Sequence, residues 1–328
     1  MRLSVLDQSP VPEGASPGDA LHNSIDLAVH ADRLGYHRYW VAEHHNMEGL
    51  AGSSPEILIG QIAAATERIR VGSGGVMLSH YSPYKVAENF RVLDALHPGR
   101  IDLGLGRAPG SDQRTAHALA RGGVPLSVEY YPSLVQEVLH FLYDELPADH
   151  ALGGVRARPL GTTHPEVWLL ASSADSAGLA AHIGLPLGWA HFIAGGGAEV
   201  VTAYRAQYRP SSHWPDPAVS LGVAVICADT QAEADRLAAS LRSWRAAGLR
   251  GPIPATDTVD STDEEPIAVR AAGPDKPLIA GPPARVHEEL RALAATYGSD
   301  ELMIVTICHS HAARVRSYEL VADAFGIG

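Results

Sequence analysis

A single (β/α)8 barrel, an α/β fold, is the class this sequence predicts, and three observations predict it. Short apolar runs alternate with segments of helical periodicity eight times along 328 residues. The turn after the first run, Gln8-Ser9-Pro10-Val11-Pro12, lacks the glycines that open a doubly wound nucleotide-binding sheet. The residues with most chemistry to offer follow the apolar runs, where a parallel barrel exposes its loops.

The elements follow in order. Leu3 to Leu6 reads as the first strand. Gly18 to Leu34 carries Leu21, Ile25, Ala28 and Val29 on one helix face, and Gly35 stops it. Arg38 to Ala42 is a second strand. Ser53-Ser54-Pro55-Glu56 starts a helix with capping serines, an early proline and a first-turn acid; Leu58, Ile62 and Ala65 face inward. Ile69 to Val71 opens a third strand that runs into Gly74-Gly75. Ser82-Pro83 begins a helix with Val86, Phe90 and Leu93 inward, and Pro98-Gly99 turns the chain into a fourth strand, Ile101 to Leu105. Leu134, Val138, Phe141 and Leu142 mark the next helix. Val167 to Leu170 and Leu185 to Ala190 are strands five and six, separated by a small-residue helix from about Asp175 to Ile183. Val200, Tyr204 and Tyr208 lie on a helix before strand seven, Leu221 to Ile226. Leu237, Leu241 and Trp244 lie on the helix after it. Leu302 to Ile307 is strand eight, and Val315 to Phe325 lies on the last helix. The stretch Gly251 to Pro283, between strands seven and eight, is rich in Pro, Gly, Thr and Asp. It reads as a mobile lid inserted into one domain spanning 1–328.

Composition narrows the function. With 25 basic and 37 acidic residues the net charge is −12, which argues against nucleic acid or an anionic membrane as the main partner. Cys227 and Cys308 stand far apart in apolar runs and read as core thiols. No apolar run reaches the roughly 20 residues of a membrane span. The start, Met1 to Asp7, is too soon polar for a signal peptide, so a cytoplasmic protein is expected.

Four strand ends carry candidate chemistry. Glu43-His44-His45-Asn46 follows Tyr39-Trp40-Val41-Ala42; adjacent imidazoles there suit proton transfer, although one could bond the core while the other is solvated. Gly74-Gly75 admits a flat ring against the backbone, or marks a bulge or close strand packing. Gly104-Leu105-Gly106-Arg107 places a guanidinium at a glycine turn, which suits an anion or phosphate, or pairs with a carboxylate. Ser172-Ser173-Ala174-Asp175-Ser176 precedes a helix, where it binds phosphate or simply caps. His309-Ser310-His311 lacks a partner with metal-ligand spacing, and no Gly-x-Ser-x-Gly elbow is present.

These stretches together resemble the bacterial luciferase-like monooxygenase family, in its alkanal-monooxygenase-like branch. The resemblance lies in Gly35 to Asn46, Ile69 to Leu78, Gly99 to Gly110 and Trp168 to Trp189. It implies a barrel that binds reduced FMN at the strand C-termini. It implies His44 as the acid/base near the flavin, a Gly74–Gly75 peptide that is often cis under the ring, and Arg107 at the flavin phosphate. Ser176, with Ser173 and Asp175, is implied at the phosphate, and Trp189 in an aromatic pocket lining. Gly106 stands where luciferase has a cysteine, and Leu179 where it has a threonine, so the thiol's role is absent and the phosphate grip differs. The implied reaction is oxygen transfer from O2 to a small organic substrate such as an aldehyde. A separate flavin reductase would supply reduced FMN, since no NAD fingerprint is visible, and family members are commonly dimers. The alternatives are a deazaflavin-dependent oxidoreductase and a non-catalytic flavin-binding protein.

Overall fold

From β1 to β7 each strand pairs in parallel with the next in the chain. β1 (Arg2–Asp7), β2 (Arg38–Val41), β3 (Arg70–Met77), β4 (Ile101–Gly106), β5 (Glu166–Ala171), β6 (Leu187–Ala190) and β7 (Val219–Cys227) follow one another in chain order. β8 (Ile279–Gly281) pairs with the C-terminal end of β7, while β9 (Glu301–Val305) bridges β7 to β1 and closes eight strands into a barrel. The computed structural model describes residues 1–107, 112–120, 126–147, 149–161, 163–256 and 277–327.

The helices, in chain order, are α1 (Pro17–Arg33), α2 (Pro55–Ala65), α3 (Pro83–Leu96), α4 (Gln113–Leu119), α5 (Tyr131–Tyr143), α6 (Ala174–Ile183), α7 (His191–Ala194), α8 (Ala198–Gln207), α9 (Gln231–Ala246), α10 (Pro283–Tyr297) and α11 (His311–Phe325). Strand periodicity sorts the core into two layers. Tyr39, Val41, Leu103, Leu105, Val167 and Leu169 face outward onto the helices. Leu6, Trp40, Trp168, Met303 and Val305 face into the barrel.

The N-terminal half of the barrel is filled by charge. Arg38, 4% exposed at its side chain, bonds Asp102 at 2.8 Å, Glu166 at 2.9 Å and Glu301 at 3.1 Å, and its guanidinium lies over Trp168. Burial pushes the Asp102 carboxyl up, but Arg38 and Arg70 outweigh it and hold the group below its ordinary value. This charge network fills the barrel interior at the N-terminal ends of the strands.

Several expectations are corrected. Ser54 heads α2 but its side chain makes no cap; Pro55 and the buried face of Leu58, Ile59 and Ile62 carry the helix. The Gly251 to Pro283 stretch is not irregular throughout. Ile253 is fully buried and trades backbone bonds with Val11 and Glu13 at the mouth, and Ile279–Gly281 is a strand. Residues 257–276, on which the lid reading falls, lie outside the described residues. α10 was not expected, although Val286, Leu290, Ala294 and Tyr297 form its buried stripe. Cys227 and Cys308 are buried thiols, as expected.

Candidate active site

β2 ends at Val41, and Ala42 still bonds Asp7 of β1, so the chain leaves the sheet at Glu43. The two imidazoles then part company. His45 turns back, its Nε2–H donating to Glu43 Oε1 at 2.6 Å. His44 donates its backbone N–H to Gly52 O at 2.8 Å, and its buried Nδ1 has no partner among the described residues. Burial, with the neighbouring His45, pushes the His44 ring down to about 4. His44 is therefore a neutral imidazole at physiological pH with one ring nitrogen unclaimed. The core-bonding role falls to His45.

The floor beside it is glycine. The Gly74–Gly75 peptide is cis, and the β3–β4 register shifts between Gly74 and Val76. A Cβ on Gly75 would stand 2.7 Å from both Gly104 O and Leu170 Cδ1; one on Gly106 would stand 2.7 Å from Met77 Cε. At these strand ends a Cβ would collide with neighbouring protein atoms, which bears out the bulge and close-packing reading.

The third part lies across β4, β5 and α6. Arg107 follows β4 and donates to Ser173 Oγ at 3.2 Å, and that hydroxyl lies 3.4 Å from Ser176 Oγ. Ser173 occupies the cap position of α6 but its side chain makes no capping bond, so capping does not explain it. Ser176 is buried, whereas Asp175 is exposed on the first turn. Tyr131, at the start of α5, was missed. Its hydroxyl is buried without a partner among the described residues; burial raises its ionisation well above the ordinary range, and the Arg107 charge opposes that rise. A guanidinium, two hydroxyls and a phenol are donors of the kind that suit an anion.

Not every expected residue joins. Trp189 is 2% exposed and packs in the outer layer, its indole N–H donating 2.9 Å to Gly196 O and its ring against Gly197. Strand alternation decides this: Gly188, not Trp189, faces the barrel interior beside Leu170 and Trp40. Phe192 lies over the barrel, against Gly222 of β7. No periodic signal marked it, because it sits on a single turn of helix. His309 bonds Glu13 O in a loop and His311, at the start of α11, bonds Asp26 of α1, so both serve packing.

A model of the family described as luciferase-like monooxygenase matches residues 1–300. The chain belongs to the luciferase-like monooxygenase family. It is 46% identical over 329 residues to the uncharacterized protein YwcH of Bacillus subtilis, covering 98% of each chain. It is 38% identical to the N-acetyl-S-alkylcysteine monooxygenase of the same organism, covering 99% of this chain and 98% of that one. The crystal structure of apo-MsnO8 matches with a TM-score of 0.88 at 40% identity, covering 100% of this chain and 99% of that one. Two remoter barrels share the fold at TM-score 0.71: a Baeyer-Villiger monooxygenase component in complex with FMN, at 21% identity, and an F420-dependent secondary alcohol dehydrogenase, at 14%. This luciferase-like monooxygenase fold is thus seen with either coenzyme.

Proposed function

We propose that this protein is a flavin-dependent monooxygenase that uses reduced FMN and O2 on a small organic substrate. One observation carries the reading. The unclaimed His44 Nδ1, the bare glycine strand ends and the Arg107–Ser173–Ser176 cradle all belong to the C-terminal ends of one barrel's strands. The residues fit the group: the cradle suits a terminal phosphate and the glycine floor suits a flat ring system. When bound, reduced flavin supplies the electrons that activate oxygen.

The chain's own residues do the rest. Arg107, Ser173, Ser176 and Tyr131 hold the phosphate. Gly74, Gly75 and Gly106 let the ring approach the backbone. Leu6, Ala42, Met47, Phe192 and Ile307 form an apolar wall that excludes water. His44, neutral at working pH, holds or returns a proton at Nδ1. An aldehyde is the first substrate to try and a thioether, in keeping with the N-acetyl-S-alkylcysteine relative, the second. A separate reductase supplies reduced FMN. The functional unit is a homodimer, as the apolar residues left exposed on α2 and α3 favour: Ile57 at 67%, Val92 at 46% and Leu96 at 67%.

A reduced deazaflavin is the second reading, because it presents a similar flat ring and a phosphate to the same floor and cradle. Anaerobic titration with each reduced coenzyme, followed by air and substrate, separates the two. Tight reduced-FMN binding with substrate-dependent oxygen uptake supports the monooxygenase. Binding of deazaflavin alone moves the assignment to hydride transfer, and binding of neither sinks both. His44→Ala should keep coenzyme binding and lose oxygen transfer; full turnover in that variant would remove His44 from the mechanism.

A further inference from the structure

We infer that Glu43 is a positioning residue, whose buried carboxylate couples the loop carrying His44 to the glycine floor of β3. Its tie to catalysis rests on the monooxygenase reading above; its tie to the loop does not.

Glu43 is 1% exposed. Its Oε2 accepts the backbone N–H of Met77 at 3.0 Å. Its Oε1 accepts the Tyr81 hydroxyl at 2.7 Å and His45 Nε2–H at 2.6 Å. Met77 ends β3, two residues past Gly75, and Tyr81 lies in the turn that follows. One carboxylate thus gathers the residues on both sides of the floor's exit and the residue after His44. Glu43 and His45 are both fixed through it, so His44 is pinned from either side while its own Nδ1 stays unclaimed.

A buried carboxylate is costly, and strand pairing alone would tie these elements: Val41 already pairs with Ser73. What pairing cannot do is set the orientation of a side chain beyond the strand's end. Three donors on one carboxylate can, and each is stronger for the charge. Glu43 does not itself face the mouth, so it acts through His44.

The test is Glu43→Gln, which keeps the shape and removes the charge. Amide hydrogen exchange is read first on the ligand-free chain. Coupling requires exchange at Met77 and at His44 to rise together by about tenfold or more, with the Leu103 to Leu105 amides unchanged. Steady-state kinetics on the coenzyme-loaded enzyme should then show kcat lowered about tenfold to a hundredfold with coenzyme Kd near wild type. A purely structural glutamate would instead lower expression and melting temperature and leave kcat intact per loaded molecule. Unchanged exchange at His44, or wild-type kcat, overturns the inference. If no reduced flavin binds the wild type, the function fails and exchange alone still decides the coupling. If Glu43→Gln does not fold, Tyr81→Phe removes one donor and is read the same way, with a smaller rise expected at both amides.

Discussion

His44 is held neutral by its surroundings, and that has a thermodynamic consequence. Unfolded, the ring takes a proton near 6.5; folded, only near 4. Between those values the unfolded chain binds the extra proton, so stability rises with pH through this window and is lost on acidification. At pH 5 the imbalance is worth about 2 kcal/mol. Between pH 7 and pH 5, wild type should lose about 2 kcal/mol more than His44→Gln in urea unfolding. Parallel losses would show that the ring is not shielded. The sequence marked the place, since two imidazoles at a strand end stand out. It left open which of them bonds the core. Glu43 and Tyr81 decided that, and Tyr81 lies 36 positions beyond His45, on the far side of another strand.

At the scale of elements, β3 and β4 work as a pair of stripped strand ends. Gly75 meets the Gly104 carbonyl, and a backbone atom cannot swing aside as a flexible side chain can. Gly75→Ala should therefore destabilise the fold by about 1–3 kcal/mol and weaken coenzyme binding. Chemical denaturation with anaerobic titration checks both, and unaltered binding would show that the ring does not lie on this floor. The glycine pairs were legible because so many at strand ends are rare. Tyr131 was not, because its place beside Arg107 depends on how α5 docks and not on any local pattern. α6 shows the same limit: Ser173 has the residue type and position of a cap, yet its hydroxyl lies across the mouth toward Arg107.

At the scale of the molecule, closure leaves the barrel with two unlike ends. One is plugged by Arg38, Asp102 and Glu301; the other collects His44, the glycine floor and the cradle. On the outside, α2 and α3 keep Ile57, Val92 and Leu96 exposed in an otherwise acidic protein. Wild type should elute at twice the 34.7 kDa chain, and Ile57→Glu with Leu96→Glu should elute as the monomer. A monomeric wild type would leave that face without the partner proposed for it.

The sequence by itself determined the barrel, its strand order and the four junctions proposed to carry the chemistry. Apolar periodicity and glycine spacing are local properties, and a parallel barrel places every βα junction at the same end. Only the tertiary structure decided which junction residues meet. It turned Trp189 into the helix layer and brought Phe192 over the barrel in its stead. It bonded the His45 ring, left His44 Nδ1 without a partner among the described residues, and joined Arg107 to Ser173 across 66 positions of chain. Those outcomes depend on strand facing, helix docking and long-range hydrogen bonds, which no window of neighbouring residues contains.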